Sequence, residues 1–84
     1  MTPRERIREV LLRGERVSWS IGDDINVIGH SGGGLYFRSV SWSTEDDGGW
    51  YQDDFIGIDA LMADLLEDEV AEIMKRLPAE GGEL

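Results

Sequence analysis

The sequence predicts an α+β fold: an N-terminal helix, a three- to four-stranded antiparallel sheet, and a long C-terminal helix packed on one sheet face. Three observations carry this. Residues 2–14 open on a helix cap and close on a glycine, residues 17–56 alternate apolar with polar side chains between Gly- and Asp-rich breaks, and residues 59–77 repeat apolar residues at helical spacing. The order is α-β-β-β-(β)-α, and the short connections favour an antiparallel meander.

Thr2-Pro3-Arg4-Glu5 reads as a helix start, with Thr2 as cap, Pro3 at the first position and Glu5 closing a capping box. Ile7, Val10 and Leu11 form its apolar stripe, Glu9 and Arg13 are spaced for an i,i+4 pair, and Gly14 ends the helix near residue 13. From Arg16 the period becomes two: Val17, Trp19 and Ile21 alternate with Ser18 and Ser20. Gly22-Asp23-Asp24 is a turn, Ile25 to Ile28 a short strand, and Gly29 to Gly34 a loop. Leu35 to Ser43 is the longest strand, Thr44 to Gly49 turns the chain, and Trp50 to Ile56 is the candidate fourth strand. Leu35 and Phe37 fall on one side of the third strand, with Tyr36, Val40 and Trp42 on the other. Helices on one face cover only that face, so Tyr36, Trp42, Trp50 and Tyr51 are the aromatics expected to stay partly exposed. The pattern Val-Ser-Trp-Ser-x-x-Asp-Asp occurs at residues 17–24 and again at 40–47. It reads as two strands of one sheet that share a strand-then-turn chemistry.

In the segment from Asp59 to Leu77, Met62, Leu66, Val70, Ile73 and Leu77 share one helical face, flanked by Leu61, Leu65 and Met74. Asp59 is the expected cap, Lys75 and Arg76 suit the negative end of the dipole, and Pro78 stops the helix. The opposite face carries Asp64, Glu67 and Asp68, with Glu72 at one edge. Asp64, Asp68 and Glu72 stand four apart, about 6 Å along a continuous helix axis.

Eighty-four residues make one domain, expected over 1–77, with 78–84 a flexible acidic tail. There is no cysteine, which excludes disulfides and thiolate metal sites. No signal-like or membrane-spanning run is present, so a cytoplasmic location is the expectation. Net charge is −10, and it is lopsided: residues 1–16 carry five arginines and three glutamates, whereas residues 17–84 carry three basic and fifteen acidic side chains. Such a surface repels nucleic acid and anionic lipid and attracts basic surfaces.

Catalytic motifs are poorly supported. Gly29-His30-Ser31-Gly32-Gly33 matches G-x-S-x-G, but that motif needs a strand–turn–helix setting and a histidine from later in the chain, and His30 is the sole histidine. Asp24-x-Asn26 begins a calcium loop that Ile28 and Gly29 break, and Gly32-Gly33-Gly34 lacks the helix and lysine of a phosphate loop. The expectation is no enzyme, no cofactor and no metal. The candidate partner-binding set is Asp46, Asp47, Asp53, Asp54, Asp64, Glu67, Asp68 and Glu72, with Trp42, Trp50 and Tyr51 as aromatic anchors.

In size, acidity, lack of cysteine and short mixed α/β layout the chain resembles the small phage-encoded anti-CRISPR proteins. The local character is carried by Glu45-Asp46-Asp47, Asp53-Asp54 and Asp64-x-x-Glu67-Asp68-Glu69. The resemblance implies an inhibitor in the host-cell cytoplasm that blocks target-DNA binding by a crRNA-guided surveillance complex. Immunity proteins and antitoxins, acidic inhibitors of basic nucleases, are similar in the same respects. The leading expectation is a monomeric or homodimeric inhibitor that covers a basic nucleic-acid-binding protein or ribonucleoprotein and touches no nucleic acid itself. The alternative is a structural or adaptor protein, of phage-particle or toxin–antitoxin type, that works through an aromatic sheet face.

Overall fold

A computed structural model describes residues 2–43 and 48–77. The expected tail, the Pro78 stop and the acidic pair Asp46 and Asp47 lie outside the described residues. The elements are α1 (Pro3–Leu12), β1 (Val17–Ile21), β2 (Asp24–Gly32), β3 (Leu35–Trp42), β4 (Gly49–Ile56), α2 (Ile58–Asp64) and α3 (Glu67–Arg76). The strands form one antiparallel sheet in the order β1-β2-β3-β4, with the helices on one face.

The capping box of α1 is formed. The Glu5 amide donates to Thr2 Oγ1 at 3.1 Å, and Glu5 Oε1 accepts from the Thr2 amide at 2.8 Å. Hydrogen bonds from Thr2 hold the exposed Glu5 carboxyl below its ordinary pKa. Arg13 pairs with Glu15 at 2.9 Å rather than in the expected bridge to Glu9.

The fourth strand is real, and β2 is longer than its apolar run. Pairing continues through Gly29 and His30 to Gly32, with a register shift between His30 and Gly32. Gly33 and Gly34, at φ of 60° and 82°, supply the two left-handed residues of a tight hairpin turn. The expected glycine loop is therefore mostly strand. Val17, Trp19, Ile28, Tyr36 and Val40 point to the helices and are buried. Tyr36, expected to stay partly exposed, belongs to the core and lies against His30, with ring centroids 4.9 Å apart.

The long C-terminal helix is not continuous. It breaks at Leu65 and Leu66, both in extended backbone, and α3 has ten residues. Gly57, not Asp59, caps α2, and Asp59 instead pairs with Arg8 at 3.3 Å. Leu61, Leu65, Val70 and Ile73 stay in the core, but the break turns Leu66 outward to 68% exposure and Glu69 inward to 5%. Both halves of the break are tied down. Arg4 donates to the carbonyl of Leu65 at 2.8 Å and, at 3.0 Å, to that of Met62, which also accepts the Leu65 amide at the end of α2. Glu69 accepts the Leu66 amide at 3.1 Å, opening α3.

The break inverts the pattern read from periodicity. Leu65→Ala is expected to cost about 2–5 kcal/mol by opening a cavity, whereas Leu66→Ala stays within about 0.5 kcal/mol as a surface change. Urea unfolding of the two variants checks this, because a continuous helix would make both substitutions costly.

Candidate functional site

The acidic ridge depends on one uninterrupted helix, and the break disperses it. Asp64 ends α2 and bonds Arg38 at 2.7 Å. Glu67 opens α3 and is held by Arg4 at 2.9 Å. Glu72 faces Lys75 at 3.0 Å and Arg76 at 3.7 Å. Asp68 is exposed in the first turn of α3. Three of the four ridge carboxylates thus face cations of the chain itself, and the field they project is correspondingly weakened.

Arg38 explains the arrangement. It is the charged residue of β3 that points to the covered face, between Tyr36 and Val40 in the two-residue alternation. Its guanidinium meets Asp64 from α2, Glu69 from α3 and Asn26 Oδ1 from β2, the last at 3.3 Å, and lies 5.7 Å from the Trp19 ring centre. Burial opposes its charge, but the Asp64 and Glu69 carboxylates outweigh that and raise its pKa above the ordinary arginine value. The shift leaves the cation intact across the working pH range.

The remaining predicted residues come together on the β3–β4 side. Asp53 and Asp54 sit on β4, on opposite faces, exposed and without a cationic partner among the described residues. Asp53 is paired in register with Arg38, yet that guanidinium turns away to the helix break. Gln52 donates to Asp54 at 3.3 Å. Trp50 is 69% exposed, Tyr51 47% and Trp42 38%. The Trp42 ring lies across Gly49, where a Cβ would stand 2.6 Å from Cζ2, and its centroid is 6.3 Å from that of Tyr51. Glycine at 49 is what permits this shelf of two rings on the helix-bearing face, with Trp50 on the other. Beyond the β4 edge runs an open groove of about 610 Å³, lined by Asp54, Phe55, Ile56, Ala60, Ala63 and Asp64.

Sequence reasoning did not find this groove, nor the roles of Arg38, Arg4 and Glu69. The signals are a lone arginine at a core position of an alternating strand and the acidic run Glu67-Asp68-Glu69, which marks a helix start. His30 and Ser31 lie in β2 and are followed by a hairpin rather than a helix, so the strand–turn–helix of a nucleophile elbow does not form there. The described residues hold no group of three or more metal-ligating side chains and no helix long and apolar enough to cross a membrane. Comparisons with protein-family models, curated proteins and solved structures find no match to this chain.

The Arg38 network is expected to be structural. Arg38→Met alone strands the buried Glu69 carboxylate and costs about 3–5 kcal/mol. Arg38→Met with Glu69→Gln removes both charges, keeps an acceptor for the Leu66 amide, and recovers most of that loss. Denaturant midpoints of the two variants check the order.

Proposed function

We propose that the protein is a non-catalytic acidic inhibitor that covers a basic nucleic-acid-binding surface of a partner, and that its contact surface is the β3–β4 side of the sheet. The observation that carries this reading is the coincidence, on one strand, of Asp53 and Asp54 without cationic partners among the described residues and of the exposed rings of Trp50 and Tyr51, with Trp42 alongside. Carboxylates of this kind steer a cationic partner into encounter, and large exposed rings supply the short-range contacts that set residence time. Asp23 and Asp24 add exposed carboxylates in the β1–β2 turn. That turn lies at the same end of the sheet as Trp42 and Gly49, because Ile21 pairs with Asp24 while Trp42 pairs with Gly49. A crRNA-guided surveillance complex in the host cytoplasm is the partner class suggested by the likeness to anti-CRISPR proteins. Occupation of its DNA-binding surface would block target recognition without chemistry.

The adaptor alternative rests on exposed Ile25, Leu35, Trp50 and Ile56 on the open sheet face. Register places Ser41 between Ile25 and Trp50, and Ser39 between Val27 and Gln52. Polar side chains therefore occupy the middle of that face, and the apolar groups do not form the continuous patch an obligate interface uses.

Titration of the chain into crRNA-guided complexes carrying labelled target DNA should release the DNA, more effectively at low salt. Asp53→Lys with Asp54→Lys is expected to weaken inhibition about tenfold or more, with an unchanged circular-dichroism spectrum. Undiminished inhibition by that variant would refute the β4 surface. A salt-insensitive oligomer in sedimentation would favour the adaptor reading.

A further inference from the structure

We propose that the free edge of β4 receives an extended, basic segment of a partner protein as a fifth strand, laid in the groove between β4 and α2. The inference rests on the acidic-inhibitor reading and specifies how its surface is used.

The main chain of β4 is presented in the required way. Beyond the Leu35–Ile56 pair, the Gly57 amide donates to the Gly34 carbonyl at 3.0 Å. Antiparallel ladders bond every second facing pair. The bonded positions on β4 are therefore Phe55, Asp53, Tyr51 and Gly49, and the N–H and C=O groups of Ile56, Asp54, Gln52 and Trp50 point away from β3. In the order β1-β2-β3-β4 no further strand meets them among the described residues. A row of unsatisfied main-chain groups on an eight-residue edge is a template for another strand.

The flanking helix leaves room for the added strand's side chains. Ala60 and Ala63 form the α2 wall of the groove, and both are small and exposed. Asp54 and Asp64 stand on opposite walls, with Asp53 on the adjoining strand position. An incoming strand alternates its side chains, so one set faces the alanine wall with Asp53 on the helix-bearing side and the other meets Asp54 on the open face.

Charge selects the occupant. A second copy of this chain is disfavoured, because each carries a net charge of −10 and pairing β4 with β4 would bring four aspartates onto one short ladder. A neutral strand gains nothing from Asp53 and Asp54, whereas a lysine- or arginine-bearing strand gains both main-chain bonds and charge neutralisation.

The test uses the full chain and a short fluorescent peptide alternating lysine with threonine, read by anisotropy at low salt and by amide shift mapping. Binding is expected, with shifts concentrated on β4 and α2. Gln52→Pro removes one outward N–H without touching the β3 ladder, and is expected to weaken the peptide about tenfold or more, while Gln52→Ala is nearly silent. Where the proline variant fails to fold, the same peptide N-methylated at alternate residues replaces it: charge is unchanged, and binding is expected to be lost. Equal binding by Gln52→Pro or by the N-methylated peptide overturns strand addition, as does no binding at all or a dimer joined through β4. If strand addition fails but Asp53→Lys with Asp54→Lys still abolishes DNA release from the surveillance complex, the inhibitor reading stands alone. If that variant keeps full inhibition, the inhibitor reading fails too.

Discussion

One half-buried cation sets the geometry of the helical layer. Arg38 projects from the middle of the sheet into the space beneath the helices, where desolvation penalises an unpaired charge by several kcal/mol. A continuous helix over residues 59–77 would lose no main-chain hydrogen bonds. Its apolar stripe, however, would turn Leu66 inward and carry Glu69 away from the guanidinium. Interrupting it forfeits a few main-chain bonds, each worth about 0.5–1.5 kcal/mol net, and part of the loss is offset: Arg4 donates to the Leu65 carbonyl and adds a second donor at Met62, and Glu69 takes the Leu66 amide. Against a buried charge without a partner, the break is the smaller cost. The two helical pieces then serve different parts of the sheet, α3 packing on β1 and α2 on β3 and β4.

This trade explains why some of the fold is legible in the sequence and some is not. The N-terminal helix rests on local chemistry, a Thr2–Glu5 box and a closing glycine, and local chemistry survives folding. The strands of Trp19, Val40 and Tyr51 follow from alternation, which a half-covered sheet enforces. The helix break follows instead from a contact 31 residues apart, Arg38 with Glu69. Periodicity within residues 59–77 contains no trace of that contact and favours a single rod. The same blindness makes a ridge of Asp64, Glu67, Asp68 and Glu72, whose mutual spacing suits a helix that does not exist in one piece. Tyr36 departs from its expected partial exposure for a related reason: it shares a face with Arg38, and the helices cover that column of the sheet more fully than the flanking one at Tyr51.

Once the network is in place, charge is sorted across the molecule. Arg4, Arg8 and Arg13 of the first helix and its following turn engage Glu67, Asp59 and Glu15. Individually such exposed pairs contribute little to stability. Their larger effect is on the field: cations and the acids they neutralise gather toward the α1 side, where Arg6, Arg13, Arg16 and Arg76 also border one opening. Asp53 and Asp54 remain uncompensated among the described residues at the opposite edge of the sheet. A molecule polarised in this way presents β4 as its uncompensated acidic edge.

An open sheet edge is ordinarily a hazard, and proteins blunt it with charge. Here the charge is of one sign, and it stands beside exposed rings and an alanine-walled groove. Two aspartates repel acidic strands and copies of the same chain, yet they leave the outward amides of Gln52 and Asp54 free. Under the proposed strand addition, the edge is closed to strands of the wrong charge and open to cationic ones. Discrimination of this kind needs little binding energy, because it comes from what is excluded as much as from what is attracted. A small domain can afford it: the core beneath Leu61, Leu65 and Ile73 is complete without β4 contributing a fully buried side chain.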